Sequence, residues 1–512
     1  MAMKEKTFTN TELGYSKSAD NIQSMKPIPW LIPSKSHDEV HQTDQNAESL
    51  QDTHIRHEEN TTSIELFYDL FLVANLSAFT ERHEINSTSS LQSYIAFFTI
   101  LWFTWFQTSL FDVRFVADSI FFRICKACSF AIMVGFAVVG IRYNIEDVGS
   151  YNSGFKALSL ILMASRLILM VQYLVTAWSL RRTKSDSRHF LAAASIELVA
   201  ALLFLGLSFG FDDNRASKAY AGWFVTLACE AIVMLGMAVL RSGRLSLRKG
   251  HFVERLGLLT LIILGENING LVRSVTKILD GSGSLDAGAV GAGVSTVLIT
   301  YFIWMLYFDQ QIHADRKSTI YLPLWAILHF ALHITIVLVG EGASKLILWW
   351  IASVTLKALL ATLDETLGVT TSISAIDPQT VAIKLNLTFS YYQQDLHGFS
   401  EFPNMTQQID DMLDLPSTLE QATSAKKFGE ILEEILNKAT RWIFENFQIS
   451  PPTSYYLRSN SYNVTLNNIS EDAADNSAIL SSIDTVFVYF YVASGCLLIL
   501  ISILLLFGRK HT

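Results

Sequence analysis

The sequence predicts an all-α fold: a polytopic transmembrane helix bundle with two weakly similar halves, plus a small helical extramembrane domain. Three observations predict this fold. The 512-residue chain is 50% apolar and only 17% charged, whereas average soluble proteins carry about a quarter charged residues. Its apolar residues gather in runs long enough to cross a bilayer, which takes about 20 residues each. A short residue pattern also recurs later in the chain. The composition excludes an ordinary soluble protein.

The predicted spans form one block of about nine helices, at 64–345, and a separate last helix. They fall at 64–80, 91–111, 125–141, 155–178, 189–209, 220–240, 253–273, 289–309, 321–340 and 484–507. A further apolar stretch at 344–362 carries Lys345 and Lys357. We therefore expect 346–362 to be an interfacial or half-inserted helix, with a full crossing left open.

Positive charge predicts the orientation of the bundle, because short cytoplasmic loops carry an excess of Lys and Arg. The loops after the second, fourth and sixth runs are the basic ones, for example at 181–188 and 241–249. This places the N-terminus in the cytoplasm. Ten crossings then put the segment 363–483 on the non-cytoplasmic side and return a basic tail, 508–512, to the cytoplasm.

Four Asn-x-Ser/Thr sequons in the segment 363–483 agree with this orientation, since N-glycosylation requires the lumenal or extracellular side. The glycosylation candidates are Asn386, Asn404, Asn463 and Asn468. The compartment is expected to be the plasma membrane or an endomembrane of the vacuole or secretory pathway.

Most of the negative charge lies outside the spans. Residues 1–63 are polar, with a net charge of -4, and we expect them to form a disordered cytoplasmic arm. Residues 363–475 have a net charge of -10. Within them, the capping-box pattern at 417–420 and apolar residues at helical spacing over 428–443 predict a helix. Packing of that helix on the membrane domain is favoured over ligand binding.

Charged residues inside a bilayer usually face the bundle interior or a water-filled path. Glu65 and Asp69 are four residues apart and therefore share one helix face. On the seventh run, Arg255 and Glu266 are roughly 16 Å apart along the axis and cannot pair directly. We expect their partners on other helices, among Asp112, Arg166, Glu197 and Glu230. The candidate transport path or charge network comprises Glu65, Asp69, Asp112, Glu254, Arg255, Glu266, Asn267, Asp309, His329 and His333.

Two histidines, His329 and His333, lie one helical turn apart. A hydrogen-bonded helix contact is favoured over a proton relay, and either is favoured over a metal site, because the sequence fixes no third ligand. The lone pair Cys125 and Cys128 lacks a second pair of ligands. No metal and no cofactor is expected.

An FDxxxxAD pattern occurs at 111–118 and again at 308–315. Each copy closes a Trp-containing run and follows a helix that opens on a glutamate, Glu65 in one half and Glu254 in the other. Six crossings separate these opening helices, so the halves have the same orientation. Repeated halves commonly enclose a central site in transporters.

Several of these residues carry a family resemblance. They are the segments ELFYDL at 65–70, FDVRF at 111–115, HFVERLGLL at 251–259 and LGE at 264–266, with His329-Phe330 and His333. Together they make residues 60–345 resemble the low temperature requirement A (LtrA) family of membrane proteins, in a long form of the fungal type. The resemblance implies a polytopic fold and leaves the transported species open.

The leading functional hypothesis is a transporter or channel for a small ion or solute, whose path is lined by intramembrane carboxylates. The alternative is a non-transporting membrane sensor or scaffold that acts through its external domain. An intramembrane enzyme is disfavoured because the chain has no GxSxG, HExxH or phosphate-cradling glycine loop. The expected partners are the lipid bilayer and the small ion or solute, without nucleic acid; a homo-oligomer is left open.

Overall fold

In the computed structural model, the described residues are 30, 63–114, 119–145, 148, 151–182, 187–211, 218–240, 249–282, 287–309, 321–367, 377–395, 405–416, 422–447, 449 and 469–508. All of the regular structure in these ranges is helical. Thirteen α-helices are present: α1 Ser63–Arg82, α2 Thr88–Arg114, α3 Ile120–Gly140, α4 Asn152–Arg182, α5 Arg188–Ser208, α6 Tyr220–Leu240, α7 Lys249–Ser282, α8 Ala287–Phe308, α9 Tyr321–Leu367, α10 Pro378–Asp395, α11 Thr406–Leu413, α12 Ala422–Asn446 and α13 Ile469–Gly508.

Ten of these helices, α1 to α9 and α13, are long and apolar enough to cross a membrane. This confirms the predicted all-α polytopic fold, and each of the ten predicted spans coincides with one of the ten helices, extending at most one residue beyond it. The predicted cytoplasmic arm, apart from Trp30 and Ser63, lies outside the described residues, as do residues 509–512 of the tail. The orientation in the membrane remains a prediction.

Helix α2 forms the centre of the bundle. Its spanning segment is 83% buried inside the protein, whereas that of α13 is only 28% buried. On α13, Val488, Tyr491 and Val492 expose about 60% of their surface. Exposed apolar side chains on a spanning helix are expected where it faces lipid tails. Helix α2 thus lies in the interior of the bundle, whereas α13 lies at its periphery.

Helix α9 runs without a break through the expected boundary at 345/346. The predicted separate segment 346–362 is therefore the C-terminal part of α9. At 1.5 Å per residue, a 47-residue helix is about 70 Å long, more than twice the roughly 30 Å of a bilayer core. Gly340 and Gly342 lie between the two apolar stretches without breaking the helix, so the sequence alone does not distinguish one long helix from two.

The C-terminal part of α9 carries a second apolar core together with α10, α11 and α12. Ile351 and Leu359 of α9 pack there with Leu385, Met412 and Ile435. The helix predicted over 428–443 is confirmed as part of α12, and its predicted apolar face is buried or partly buried. Because this core also contains Leu271 and Ile278 of α7, the helix packs on the membrane domain, as favoured.

Local sequence signals explain several boundaries. Ser119 has extended backbone angles and accepts a hydrogen bond from the Phe122 amide at the start of α3. Asp377 accepts hydrogen bonds from the Thr380 hydroxyl and the Gln379 amide just before Pro378 begins α10. These bonds, led by that from Thr380, lower the pKa of Asp377. The capping box at 417–420 lies outside the described residues, and α13 begins at Ile469, inside the segment predicted as 363–483.

Candidate functional site

The side chain of Arg255 on α7 is fully buried and contacts three carboxylates. Its Nη2 lies 3.2 Å from Asp69 Oδ1, and its Nη1 lies 3.0 Å from Asp112 Oδ2 and 3.6 Å from Glu65 Oε1. Glu65 and Asp69 come from α1 and Asp112 from the last turn of α2. We call Arg255, these three carboxylates, Lys126 and His251 the Arg255 centre.

Two further basic groups complete the Arg255 centre. Lys126 of α3 lies 2.5 Å from Asp112 Oδ2, and His251 Nε2 lies 3.0 Å from Glu65 Oε2. The indole of Trp105 donates to Asp69 Oδ1 at 2.6 Å, and the guanidinium of Arg255 lies 5.6 Å from the centre of the same indole ring. Each of the three carboxylates therefore has at least two polar partners.

The local sequence explains how the two opening helices meet. Glu65 and Asp69 are four residues apart on α1, and His251 and Arg255 are four residues apart on α7. This spacing places each pair on one helix face, and the two faces meet where α1 packs on α7. Of the ten residues predicted to form a transport path or charge network, the structure brings four together here: Glu65, Asp69, Asp112 and Arg255. Their role in transport remains a prediction.

The energy of this arrangement depends on all partners being present. Burying a charge is costly, and removing one member of a buried ion pair typically destabilises a protein by about 3–5 kcal/mol. The Arg255 centre lies near the ends of α1, α2 and α7 that the predicted topology assigns to the cytoplasm. It therefore joins the first and second halves of the chain at one end of the bundle.

A second polar group, at mid-depth of the bundle, contains the two histidines. His333 Nδ1 accepts a hydrogen bond from the Trp102 indole at 3.1 Å, so its Nε2 carries the proton and donates to Thr260 at 2.9 Å. His329 Nδ1 donates to the Trp325 carbonyl, and Tyr307 donates to Nε2 at 2.8 Å. Both rings are buried and all four ring nitrogens are bonded, which favours the helix-contact interpretation of this pair.

Glu266 belongs to a third group, near the middle of α7 and roughly 16 Å along the helix from Arg255. Its partner is Arg273 on the same helix, at 2.7 Å, so the expectation of a partner on another helix is wrong for Glu266. Two long side chains can span two helical turns when both extend along the axis. Asn267 donates to the Ile336 carbonyl of α9 at 3.0 Å, and Lys345 of α9 pairs with Glu84 at 3.2 Å.

The remaining two predicted residues, Glu254 and Asp309, are at least partly exposed. Asp309 is exposed just after α8, and none of the described ion pairs includes it. Glu254, beside Arg255, is partly exposed. The two aspartates of the FDxxxxAD pattern thus have different environments, and residues 115–118 and 310–315 of the pattern lie outside the described residues. The internal repeat remains a prediction.

The structure shows one cluster of buried charges that the sequence did not predict as a separate site. Arg166 of α4, Glu230 of α6 and Glu197 of α5 meet in the interior of the first half. The sequence predicts these residues only as partners for Arg255 or Glu266. The available signal was their position, because each is an ionisable residue near the middle of an apolar run. Four residues are predicted as partners for Arg255 or Glu266 on α7: Asp112, Arg166, Glu197 and Glu230. Among the described contacts, only Asp112 pairs with α7, through Arg255.

The fold and these buried charges define a polytopic α-helical membrane protein whose interior is polar at several depths. The family model described as Bacterial low temperature requirement A protein (LtrA) matches residues 60–375. The chain therefore belongs to the LtrA family. The match continues beyond residue 345 and takes in all of α9, in agreement with the unbroken helix. No curated protein and no solved structure matches the chain.

Proposed function

We propose that this protein is a membrane transporter or channel for a small ion or solute, and that the Arg255 centre controls the path. One observation carries the proposal: a fully buried arginine of α7 contacts carboxylates of both α1 and α2. A contact between an arginine and carboxylates from two halves of a membrane protein can exist in two arrangements. In one the charged groups pair with each other, and in the other they separate and bind an ion instead. Buried ionisable residues at such a joint are typical of ion and solute pathways.

The polar groups along α7 support the same proposal. From the N-terminal part of the helix to its middle, they are the Arg255 centre, Thr260 beside His333, and Asn267 beside Glu266. α7 thus contacts α1 and α9 through polar side chains at three depths. An apolar bundle held together only by packing does not need polar groups at each depth, since each one costs free energy in a hydrocarbon slab.

The test is a flux measurement with the full-length protein in liposomes, using protons, alkali cations, chloride and small osmolytes. The informative variant is Asp112→Asn, which removes a charge from the Arg255 centre. Asp309→Asn is the matched control, because it makes the same chemical change at the exposed aspartate of the second pattern. We expect wild type and Asp309→Asn to show the same flux. We expect the flux through Asp112→Asn to be at least tenfold lower.

Two results would reject this proposal. One is that wild-type liposomes move none of these species faster than empty liposomes do. The other is that Asp112→Asn and Asp309→Asn conduct equally well while both remain folded, because the Arg255 centre would then have no role in flux.

A non-transporting sensor or scaffold is the second candidate, and one observation favours it. The unbroken α9 links the histidine group directly to the core formed with α10 to α12. A signal received by α10 to α12 would reach the bundle through this helix. This candidate predicts that replacing residues 378–449 with a flexible linker abolishes the cellular function while Asp112→Asn preserves it; the opposite pair of results would reject it.

A further inference from the structure

Two carboxylates meet one arginine in the middle of the first half of the bundle. Arg166, Glu197 and Glu230 each lie at least nine residues from either end of their helices, about 13 Å of helix. All three side chains are at most 1% exposed. The group lies on α4, α5 and α6, away from the Arg255 centre on α1, α2, α3 and α7.

Arg166 lies closer to the carboxylate of Glu230 than to that of Glu197. Arg166 Nε lies 2.8 Å from Glu230 Oε1 and 3.0 Å from Oε2, but 4.0 Å from Glu197 Oε2. Both oxygens of Glu197 are buried and have no hydrogen-bond partner among the described residues. Because the same atom, Arg166 Nε, lies within 4.0 Å of both Glu197 and Glu230, the two carboxyl groups are neighbours. An ionised carboxylate in this position would be buried without a single hydrogen bond, which costs several kcal/mol.

The other groups that face Glu197 do not supply the missing bond. They are Arg114 of α2 and Tyr173 of α4, together with Arg166 and Glu230. Arg114 donates to the Tyr173 hydroxyl and to the Met234 carbonyl, one turn of α6 beyond Glu230. Its charge acts on Glu197 from a distance, and its described hydrogen bonds go to neutral acceptors.

A charge count over the Arg255 centre and the cluster of Arg166, Glu197 and Glu230 leaves one proton to be placed. The carboxylates are Glu65, Asp69, Asp112, Glu197 and Glu230, and the cations are Lys126, Arg166 and Arg255, together with Arg114, two residues after Asp112 on α2. With His251 counted as uncharged, five negative and four positive charges leave an excess of one negative charge. One bound proton, on His251 or on a carboxyl group, makes the whole set neutral, as a low-dielectric interior favours.

We propose that Glu197 and Glu230 form a proton-binding site, in which one proton is shared between the two carboxyl groups beside Arg166. Glu197 is the only one of the five carboxylates without a hydrogen bond among the described residues, and Arg166 Nε lies 4.0 Å from its Oε2. A proton on this pair turns one carboxylate into a donor for the other, so both groups are satisfied. Two carboxylates that share a proton are a recurrent arrangement where like charges are held together.

The proton site also suggests the coupling ion of the transporter, a step that rests on the proposed function. A carboxyl pair at mid-depth can exchange its proton with either side as the helices around it rearrange. Arg114 then connects the proton site to Asp112, and so to the Arg255 centre, along the last turn of α2. A proton gradient would drive or gate flux through this connection.

Infrared difference spectroscopy of the full-length protein in lipid tests the site directly, because a protonated carboxyl group has its own C=O stretching band. We expect wild type to show this band at neutral pH. Glu197→Gln should abolish it, since Glu230 then keeps Arg166 to itself as an ionised pair. Glu230→Gln should abolish it as well, because Glu197 then becomes the partner of Arg166. Asp309→Asn is the control and should retain the band.

Absence of the band in wild type, or its persistence in both glutamine variants, would overturn the proton site. If Glu197→Gln fails to fold, Glu230→Gln gives the same reading. Flux driven by a pH gradient in liposomes separates this proposal from the proposed function. A band that depends on Glu197 without any flux supports the proton site and rejects transport; flux without the band rejects the proton site alone.

Discussion

At the scale of single residues, side chains with similar sequence contexts make different contacts in the structure. Asp112 and Asp309 occupy the same place in the FDxxxxAD pattern, yet one contacts Arg255 and Lys126 and the other is exposed. Glu197 and Glu230 both lie in apolar runs, yet only Glu230 holds Arg166 closely. Residue type and spacing placed these groups in the membrane; their partners depend on how the helices pack.

Trp105 provides a test of the Arg255 centre that leaves its charges unchanged. Its indole donates to Asp69 Oδ1 at 2.6 Å. Trp105→Phe keeps an aromatic ring but removes the indole N–H, and with it a hydrogen bond to a charged acceptor worth about 1.5–3 kcal/mol, as well as part of the buried packing surface. We expect a clearly lower unfolding temperature by circular dichroism in detergent. Trp304→Phe, at an exposed position on α8, should change it little; equal shifts would contradict the arrangement.

At the scale of elements, close approach between α7 and α9 depends on glycine. A Cβ at Gly340 of α9 would overlap the side-chain amide of Asn267 on α7. That amide donates a hydrogen bond to the Ile336 carbonyl, one turn before Gly340 on α9. The absence of a side chain at this position lets α7 lie against α9 at the depth of Asn267. Small residues at transmembrane helix contacts commonly have this role.

Alanine substitutions at two glycines test this contact. Gly340→Ala should lower the unfolding temperature, since the Asn267 amide must move and loses its bond. Gly265→Ala is the control, because no atom lies within 4 Å of the added Cβ, and alanine is the better helix former by about 1 kcal/mol. Thermal unfolding of both variants in detergent is the measurement. A lower unfolding temperature for Gly265→Ala than for Gly340→Ala would contradict the packing.

The core shared by α9 and α12 makes a separate prediction at the same scale. Ile435 is fully buried in that core, whereas Leu387 on α10 is 68% exposed. Ile435→Ala should destabilise the α9–α12 core by about 2–5 kcal/mol. Leu387→Ala should have almost no effect. Hydrogen exchange of the amides in α12, followed by mass spectrometry, measures both; unchanged protection in Ile435→Ala would contradict this core.

At the scale of the whole molecule, hydropathy alone predicted the membrane spans, because about 20 consecutive apolar residues have few alternatives to a crossing helix. It failed at 345/346, where two apolar stretches join into α9. The site was predicted in part. Helical spacing placed Glu65 and Asp69 on one face, but the pairing of Glu266 with Arg273 and the clustering of Arg166, Glu197 and Glu230 depend on tertiary packing. No periodicity encodes which of several buried charges become neighbours.

The predicted topology can be tested through glycosylation. Asn386 is exposed on α10, on the side of the membrane that the positive-inside rule assigns to the lumen or the exterior. Protein produced in a eukaryotic host should run faster on a gel after glycosidase treatment, and Asn386→Gln should reduce that shift by one glycan. A band that treatment does not shift would contradict ten crossings with a cytoplasmic N-terminus.

In the proposed transporter, flux depends on the contacts of Arg255 between the two halves of the chain, and Arg255→Lys tests this claim most directly. Lysine keeps the positive charge but has no planar fork to reach several carboxylates at once. We predict that liposomes with Arg255→Lys, at the same content of folded protein, lose at least tenfold in flux of the species that wild type moves. Flux equal to that of wild type would contradict the claim.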